Sequence, residues 1–289
     1  MSPDESKIIP ASRHRRQTRI LPQAALALLL LALLIWPQRR RNGDGPATIY
    51  FFSSESSINN FNMLKGEFDW FFSAAGSHKF QPFRNRSDFD AVLKQRRPGL
   101  FLMSSWHYAQ LEDKEHWRPV LIGSRGESSR QRHVLTARDG VRRLEELRGK
   151  TIAAAGSEEF ARQLLRQMLP PEDRASLAQF QILTVPKDID ALMSVGFGAT
   201  AAAITTEHGL ERMAKLNPGQ HAQLRRVATG PDQLLPVIVA PADSNKACAE
   251  LVEVMLKMGS DPDGQQLLRM LGFDAWQSIA PEELEVLQK

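Results

Sequence analysis

Residues 20–36, ILPQAALALLLLALLIW, run for 17 positions without a charge, between Arg13, Arg15, Arg16 and Arg19 on one side and Arg39, Arg40 and Arg41 on the other. A segment this apolar is poorly suited to water, and 17 residues reach the lower limit for crossing a hydrocarbon core of ~30 Å. The chain therefore divides into a basic tail (1–19), a membrane segment (20–36), a polar linker rich in Gly and Pro (37–47) and a body. Trp36 suits a membrane interface. A cleaved secretory signal carries a small-x-small site after its apolar core. Trp36-Pro37-Gln38 followed by three arginines offers none, which favours a retained transmembrane anchor over a signal peptide removed on export. Lys7 and four arginines precede the span and three arginines follow it. The tail is thus expected inside the cell inner membrane and the body in the periplasm, with secretion to the periplasm after cleavage as the alternative.

The formal charge of +4 belongs to these flanks. Residues 1–45 hold eight Lys/Arg and three Asp/Glu, which leaves 29 basic and 30 acidic residues in the rest. The body has no basic footprint for nucleic acid. The single cysteine, Cys248, excludes an intramolecular disulfide, and its setting in Ala247–Val252 reads as a buried helical face.

Short apolar runs in the body alternate with amphipathic stretches. Strands are expected at Thr48–Phe52, Phe80–Phe83, Gly99–Met103, Trp117–Ile122, His133–Thr136, Thr151–Ala155, Gln179–Val185, Ala201–Thr205, Leu224–Ala228 and Pro236–Val239. Helices are expected at Ile58–Phe72, Ser87–Leu93, Glu158–Met168, Lys187–Val195, Glu207–Lys215, Asn245–Met258 and Pro262–Leu271. This alternation predicts an α/β fold built from βαβ units on mostly parallel sheet. Its size favours two lobes, 48–135 with 230–289 and 136–229, the last helices returning to the first lobe.

Three stretches then resemble one family. Thr136–Ala153, with Leu147-Arg148-Gly149-Lys150 at its centre, resembles the hinge strand, charged turn and Leu-x-Gly-Lys step of periplasmic solute-binding proteins. Leu100–Tyr108 and Asp190–Ala203 resemble further segments of the phosphate/phosphite/phosphonate-binding ABC transporter family. The resemblance covers roughly residues 48–280. It implies a type II periplasmic binding protein fold, with a hinge and an interlobe cleft. Ligand would lie at strand ends and helix N-termini, where backbone N–H groups point at an anion.

The chain departs from that pattern at the ligand loop. The family's loop is rich in Ser and Thr; here it reads Gly156-Ser157-Glu158-Glu159-Phe160, and the family's later acidic residue aligns with Ala199. Two glutamates in a first turn already complement the helix dipole and repel an anion. Lys187 offers a compensating charge. The candidate ligand residues are Tyr50, Ser53, Ser104, Ser105, Tyr108, Ser157, Glu158, Lys187 and Thr205. The ligand is expected to be phosphonate-like by family, or an amine or zwitterion met by Glu158 or Glu159. The partner would be an ABC permease or a membrane sensor. The rival reading is a membrane-anchored protein-interaction module with a vestigial cleft. No His or Cys spacing suits a metal, no cofactor fingerprint occurs, and no G-x-S-x-G or P-loop supports an enzyme.

Overall fold

The computed structural model describes residues 46–55, 60–76, 78–138 and 140–288; the expected membrane segment 20–36 lies outside them. Among the described residues no helix is long and apolar enough to cross a membrane.

Among the described residues, eleven strands form two mixed sheets. The first holds β1 (Thr48–Phe51), β2 (Lys79–Pro82), β3 (Leu100–Met103), β4 (Trp117–Ser124), β10 (Val237–Pro241) and β11 (Ala275–Ser278), in the order β11-β4-β10-β3-β1-β2. The second holds β5 (Arg130–Arg138), β6 (Thr151–Ala155), β7 (Gln181–Val185), β8 (Ala202–Thr206) and β9 (Leu224–Leu234), in the order β7-β6-β8-β5-β9. Helices α1 (Phe61–Ser73), α2 (Arg86–Lys94), α3 (Ser105–Ala109), α8 (Lys246–Lys257), α9 (Pro262–Leu271) and α10 (Pro281–Gln288) accompany the first sheet. Helices α4 (Glu158–Met168), α5 (Asp188–Gly196), α6 (Glu207–Leu216) and α7 (Pro218–His221) accompany the second.

Burial on both faces explains the apolar strands. All four residues of β3 and all five of β8 and β10 are buried. One face of the first sheet packs Ile49, Phe51 and Ile238 against Leu64, Phe68, Cys248, Leu251 and Leu267. The other packs Phe101, Met103 and Val237 against Phe89, Tyr108 and Leu287. The second sheet buries Ile152, Ala154 and Ile204 under Phe160, Ala161, Leu164 and Leu165 of α4, and Ala153 and Ala203 under Ala191, Leu192 and Val195 of α5. Helices α8 and α9 pack Ala247, Cys248, Leu251, Leu267 and Leu268 into the first core, and burial there pushes the Cys248 thiol up.

Local signals set several boundaries. The Ser157 hydroxyl accepts from Phe160 N, which starts α4, and Pro170-Pro171 follows its end. The structure corrects other expectations. Asn85, not Ser87, caps α2, its side chain accepting from Asp88 N. The segment after β3 continues as helix α3, capped by the Ser104 hydroxyl. Strands β5 and β9 are longer than their apolar runs, and β11 and α10 carried no signal strong enough to be expected. Strand β5 also runs through the division at 135/136, and all of it pairs in the second sheet.

The chain passes between the sheets at 125–129 and at 235–236. Arg125 and Ser128 bridge each other there, and Leu235 N donates to Ser129 O at 2.8 Å.

Candidate functional site

Strand directions decide where a site can form. In the first sheet β1, β2, β3 and β4 run one way, so Ser53–Glu55, the start of α2, Ser104-Ser105 and Ser124-Arg125 share one edge. In the second, β6, β7 and β8 are parallel and β5 opposes β8. Gly156-Ser157, Lys187-Asp188, Thr205-Thr206 and the start of β5 therefore share another. Carboxyl ends of strands are where open α/β sheets bind ligands. Here the two edges meet.

The meeting is direct. Ser157 N donates to Ser54 O at 2.9 Å. The approach needs Gly156, at φ +84°, because a Cβ there would lie 2.2 Å from Ser54 O. Arg86, at the start of α2, donates to both carboxylate oxygens of Glu159 at 3.1 and 3.2 Å and to Gln110 at 2.8 Å, and lies over the Trp106 ring. Trp106 in turn packs on Phe160, ring centroids 5.4 Å apart.

Beneath these contacts lies a polar cluster drawn from both halves. Glu55 accepts from Gln131 Nε2 at 3.1 Å; the Gln131 carbonyl accepts from Arg125 at 3.1 Å, and Arg125 also donates to Gly272 O. Burial, opposed by Gln131 and Arg125, pushes the Glu55 carboxyl up to about 7. Asp188, the first residue of α5, accepts from Thr206 N at 3.0 Å and Thr206 Oγ1 at 2.7 Å. His133 is 5% exposed and edge-on to Phe160. Burial holds its imidazole down at about 4, against the pull of Asp188, so the ring is neutral at pH 7. The Gln233 side chain is a hydrogen-bond partner of the His133 ring, and among the described residues Thr205 Oγ1 is buried without a hydrogen-bond partner. A buried polar atom left unpaired is costly and calls for an explanation.

The sequence candidates separate under this geometry. Ser53, Ser157 and Thr205 stand at the joined edges, and the Ser105 hydroxyl donates to Leu234 O at 2.6 Å where the chain leaves β9. Tyr50 instead packs between Phe83 and Phe101. Tyr108 is 1% exposed in the first core, and Ser104 is a buried cap for α3. Glu158 is tied to Arg162 at 2.7 Å on its own helix. Lys187 is exposed, and its N–H donates to Asp190. Sequence reasoning missed Glu55, Arg86, Arg125, Gln131, His133, Asp188 and Gln233. The available hint was polar residues at alternate positions, 131 and 133, entering a buried strand. Among the described residues no group of three or more His, Cys, Asp or Glu is arranged to hold a metal ion.

Comparison with solved structures finds this fold in binding proteins. A binding protein component of an ABC phosphonate transporter from Pseudomonas aeruginosa superposes with TM-score 0.62 at 14% identity, over 85% of each chain. PhnD1 from Prochlorococcus marinus, solved with methylphosphonate, gives 0.58 at 13% identity, over 84% of this chain and 97% of that one. XAC2383 from Xanthomonas citri, solved with ATP, gives 0.58 at 16% identity, over 84% and 94%. No protein of curated function matches the sequence. The family model for the periplasmic substrate-binding protein of phosphonate ABC transporters matches residues 78–284, and the chain belongs to that family.

Proposed function

We propose that this protein is a membrane-tethered periplasmic solute-binding protein whose two halves act as hinged lobes. Residues 20–36 hold it to the inner membrane, and the two lobes of the body move about the crossings at 125–129 and 235–236, a few residues from the ends of the lobes 48–135 with 230–289 and 136–229 read from the sequence. A small molecule enters between the lobes, and closure is passed to an ABC permease or a membrane sensor. The observation that carries this reading is the polar cluster of Glu55, Arg125 and Asp188 around the buried His133, contributed from both halves. A ligand drives closure only through higher affinity for the closed form.

Family membership favours transport over catalysis, and the site residues support a binding role: they are caps, paired acids and a neutral imidazole, with no nucleophile–base pair among them. A second reading, an interaction module with a vestigial cleft, is favoured by the direct Ser54 O to Ser157 N bond, which closes the lobes on each other. Thermal unfolding of the detergent-solubilised full chain, titrated with phosphonates, phosphate, amines and amino acids, separates the two. Saturable stabilisation by one class supports binding, since a ligand selective for the native state raises its stability by mass action. A flat response to all of them supports the interaction module.

A further inference from the structure

The chain enters the body at the end of the first sheet that lies away from the seam. Strands β1, β2 and β3 are parallel, so α1 and α2, which join them, run back to that end. Ala47 is fixed there. Its N–H donates to His78 Nδ1 at 3.1 Å, its carbonyl accepts from Lys79 N at 3.0 Å, and His78 stands edge-on to Phe72 of α1. Gly99, after the turn that ends α2, comes so near that a Cβ there would lie 2.4 Å from Thr48 O. Around this entry the surface is aromatic and basic. Trp70, in the last turn of α1, is 61% exposed, and Met63, two turns earlier on the same face, is 50% exposed. Among the described residues nothing packs on the helix between them, since a Cβ at Gly66 would meet no atom within 4 Å. Lys79, Lys94 and Arg97 are exposed, and among the described residues none of them forms an ion pair. Acids stand here too: Glu67 one turn behind Trp70, Asp243 in the turn into α8, and Asp69, Asp113 and Glu250, which pair with Lys65, Arg96 and Lys246.

Nine residues, 37–45, separate the apolar segment 20–36 from Pro46, a reach of at most ~35 Å when fully extended. Resting on the membrane tether of the reading above, we propose that this end of the first lobe docks on the lipid surface that residues 20–36 cross. Trp70 lies at the headgroup boundary, and Lys79, Lys94 and Arg97 lie over anionic headgroups. Tryptophan suits that boundary because its ring is apolar and its N–H polar. Basic side chains gain from the negative surface potential of anionic lipid. One Trp and three cations make a weak contact by themselves, but the short tether makes the contact intramolecular, so weak affinity is enough. Docking holds the first lobe and leaves the second, across the seam, as the lobe that moves.

The test is tryptophan fluorescence of the full chain in liposomes of phosphatidylglycerol and lipid brominated near the headgroup. Trp36→Phe is the parent, so that the apolar segment is silent. Bromine quenches at close range, and the other rings are shielded: Trp106 packs on Phe160 at the seam, and Trp117 and Trp276 are buried. The expected result is quenching about threefold greater in the parent than with Trp70→Phe added, and cut about twofold when Lys79, Lys94 and Arg97 are all changed to Gln. These side chains are exposed, so the variants keep their fold, which a melting curve verifies. Equal quenching with and without Trp70 overturns the docking. Trp70 emission that follows the protein-to-lipid ratio rather than bromination also overturns it, and places a second copy of the chain on this face. Flotation with the liposomes after a high-salt wash reads the tether separately. Chains that float without quenching at Trp70 keep the tether and lose only the docking; chains that do not float lose both.

Discussion

Two sets of acids meet at the joined edges, and they differ in nearly everything but charge. Glu158 and Glu159 sit exposed on the first turn of α4, each with an arginine in contact. Glu55 and Asp188 are half-buried, and the cations and donors near them are shared with backbone. Exposed pairs in high dielectric contribute about 0–1 kcal/mol. A buried carboxyl with incomplete compensation shifts its own titration instead, as Glu55 does. The acids obvious in the sequence are therefore the ones least able to govern a ligand, and the acid that governs the seam is a single Glu in a serine-rich loop.

Gly156→Ala breaks the comparison most severely. The new methyl would overlap Ser54 O and the Glu55 backbone, and the φ of +84° is strained for any side chain. Contact of both acid sets with the opposite half would be lost together. We expect a loss of about 3 kcal/mol in urea unfolding and a larger radius of gyration by X-ray scattering, because the halves can relieve the clash by parting. An unchanged radius with unchanged stability would show that the two edges do not meet in solution.

The buried set is sharpened by pH. Glu55 titrates near 7 in the folded chain against 4.5 ordinarily, so the folded state binds the extra proton between those values. Its contribution is fully present below about 4.5 and is lost as pH rises to 7. His133 titrates near 4 against 6.5 ordinarily, so here the unfolded state binds the extra proton, and stability is lost as pH falls from 6.5 to 4. The two slopes oppose each other over nearly the same window and leave the native protein nearly flat. Glu55→Gln removes one of them. That variant should gain about 2 kcal/mol at pH 8 and lose stability steadily on acidification below 6.5. His133→Gln should do the reverse, growing more stable from pH 7 to 4.5. Chemical denaturation at five pH values reads both, and parallel profiles for the two variants would sink the account.

This pair also marks how far the sequence could be read. The strand Thr151–Ala155, the Ser157 cap and helix Pro262–Leu271 were legible because their signals are local: an apolar run, a hydroxyl before an amphipathic stretch, an initial proline. The α/β fold in two lobes followed from the alternation of such elements. The site did not, because its bonds are long-range. Glu55 meets Gln131 across 76 positions, and Arg86 meets Glu159 across 73. Strands β5 and β9 were underestimated for the same reason, since their polar ends, Arg130–Arg132 and Thr229–Gln233, break the apolar run just where the site begins. Tyr108 shows the converse: a polar tip beside two serines suggested the cleft, yet one helical turn carries its ring into the core.

The exposed set should yield a graded, smaller response. Arg86→Ala removes the bidentate contact to Glu159, the bond to Gln110, the pair with Asp90 and the cation over Trp106. About 1 kcal/mol is expected, more than for an isolated surface pair because one guanidinium serves four partners. Glu158→Gln touches only the exposed i,i+4 pair with Arg162 and the dipole of α4, so its cost should be about 0.5 kcal/mol. It should shrink further in 0.5 M salt, where exposed charges are screened. If Glu158→Gln instead costs more than Arg86→Ala and resists salt, then Glu158 is desolvated in solution, and the α4 N-terminus rather than Glu55 carries the acid that governs the seam.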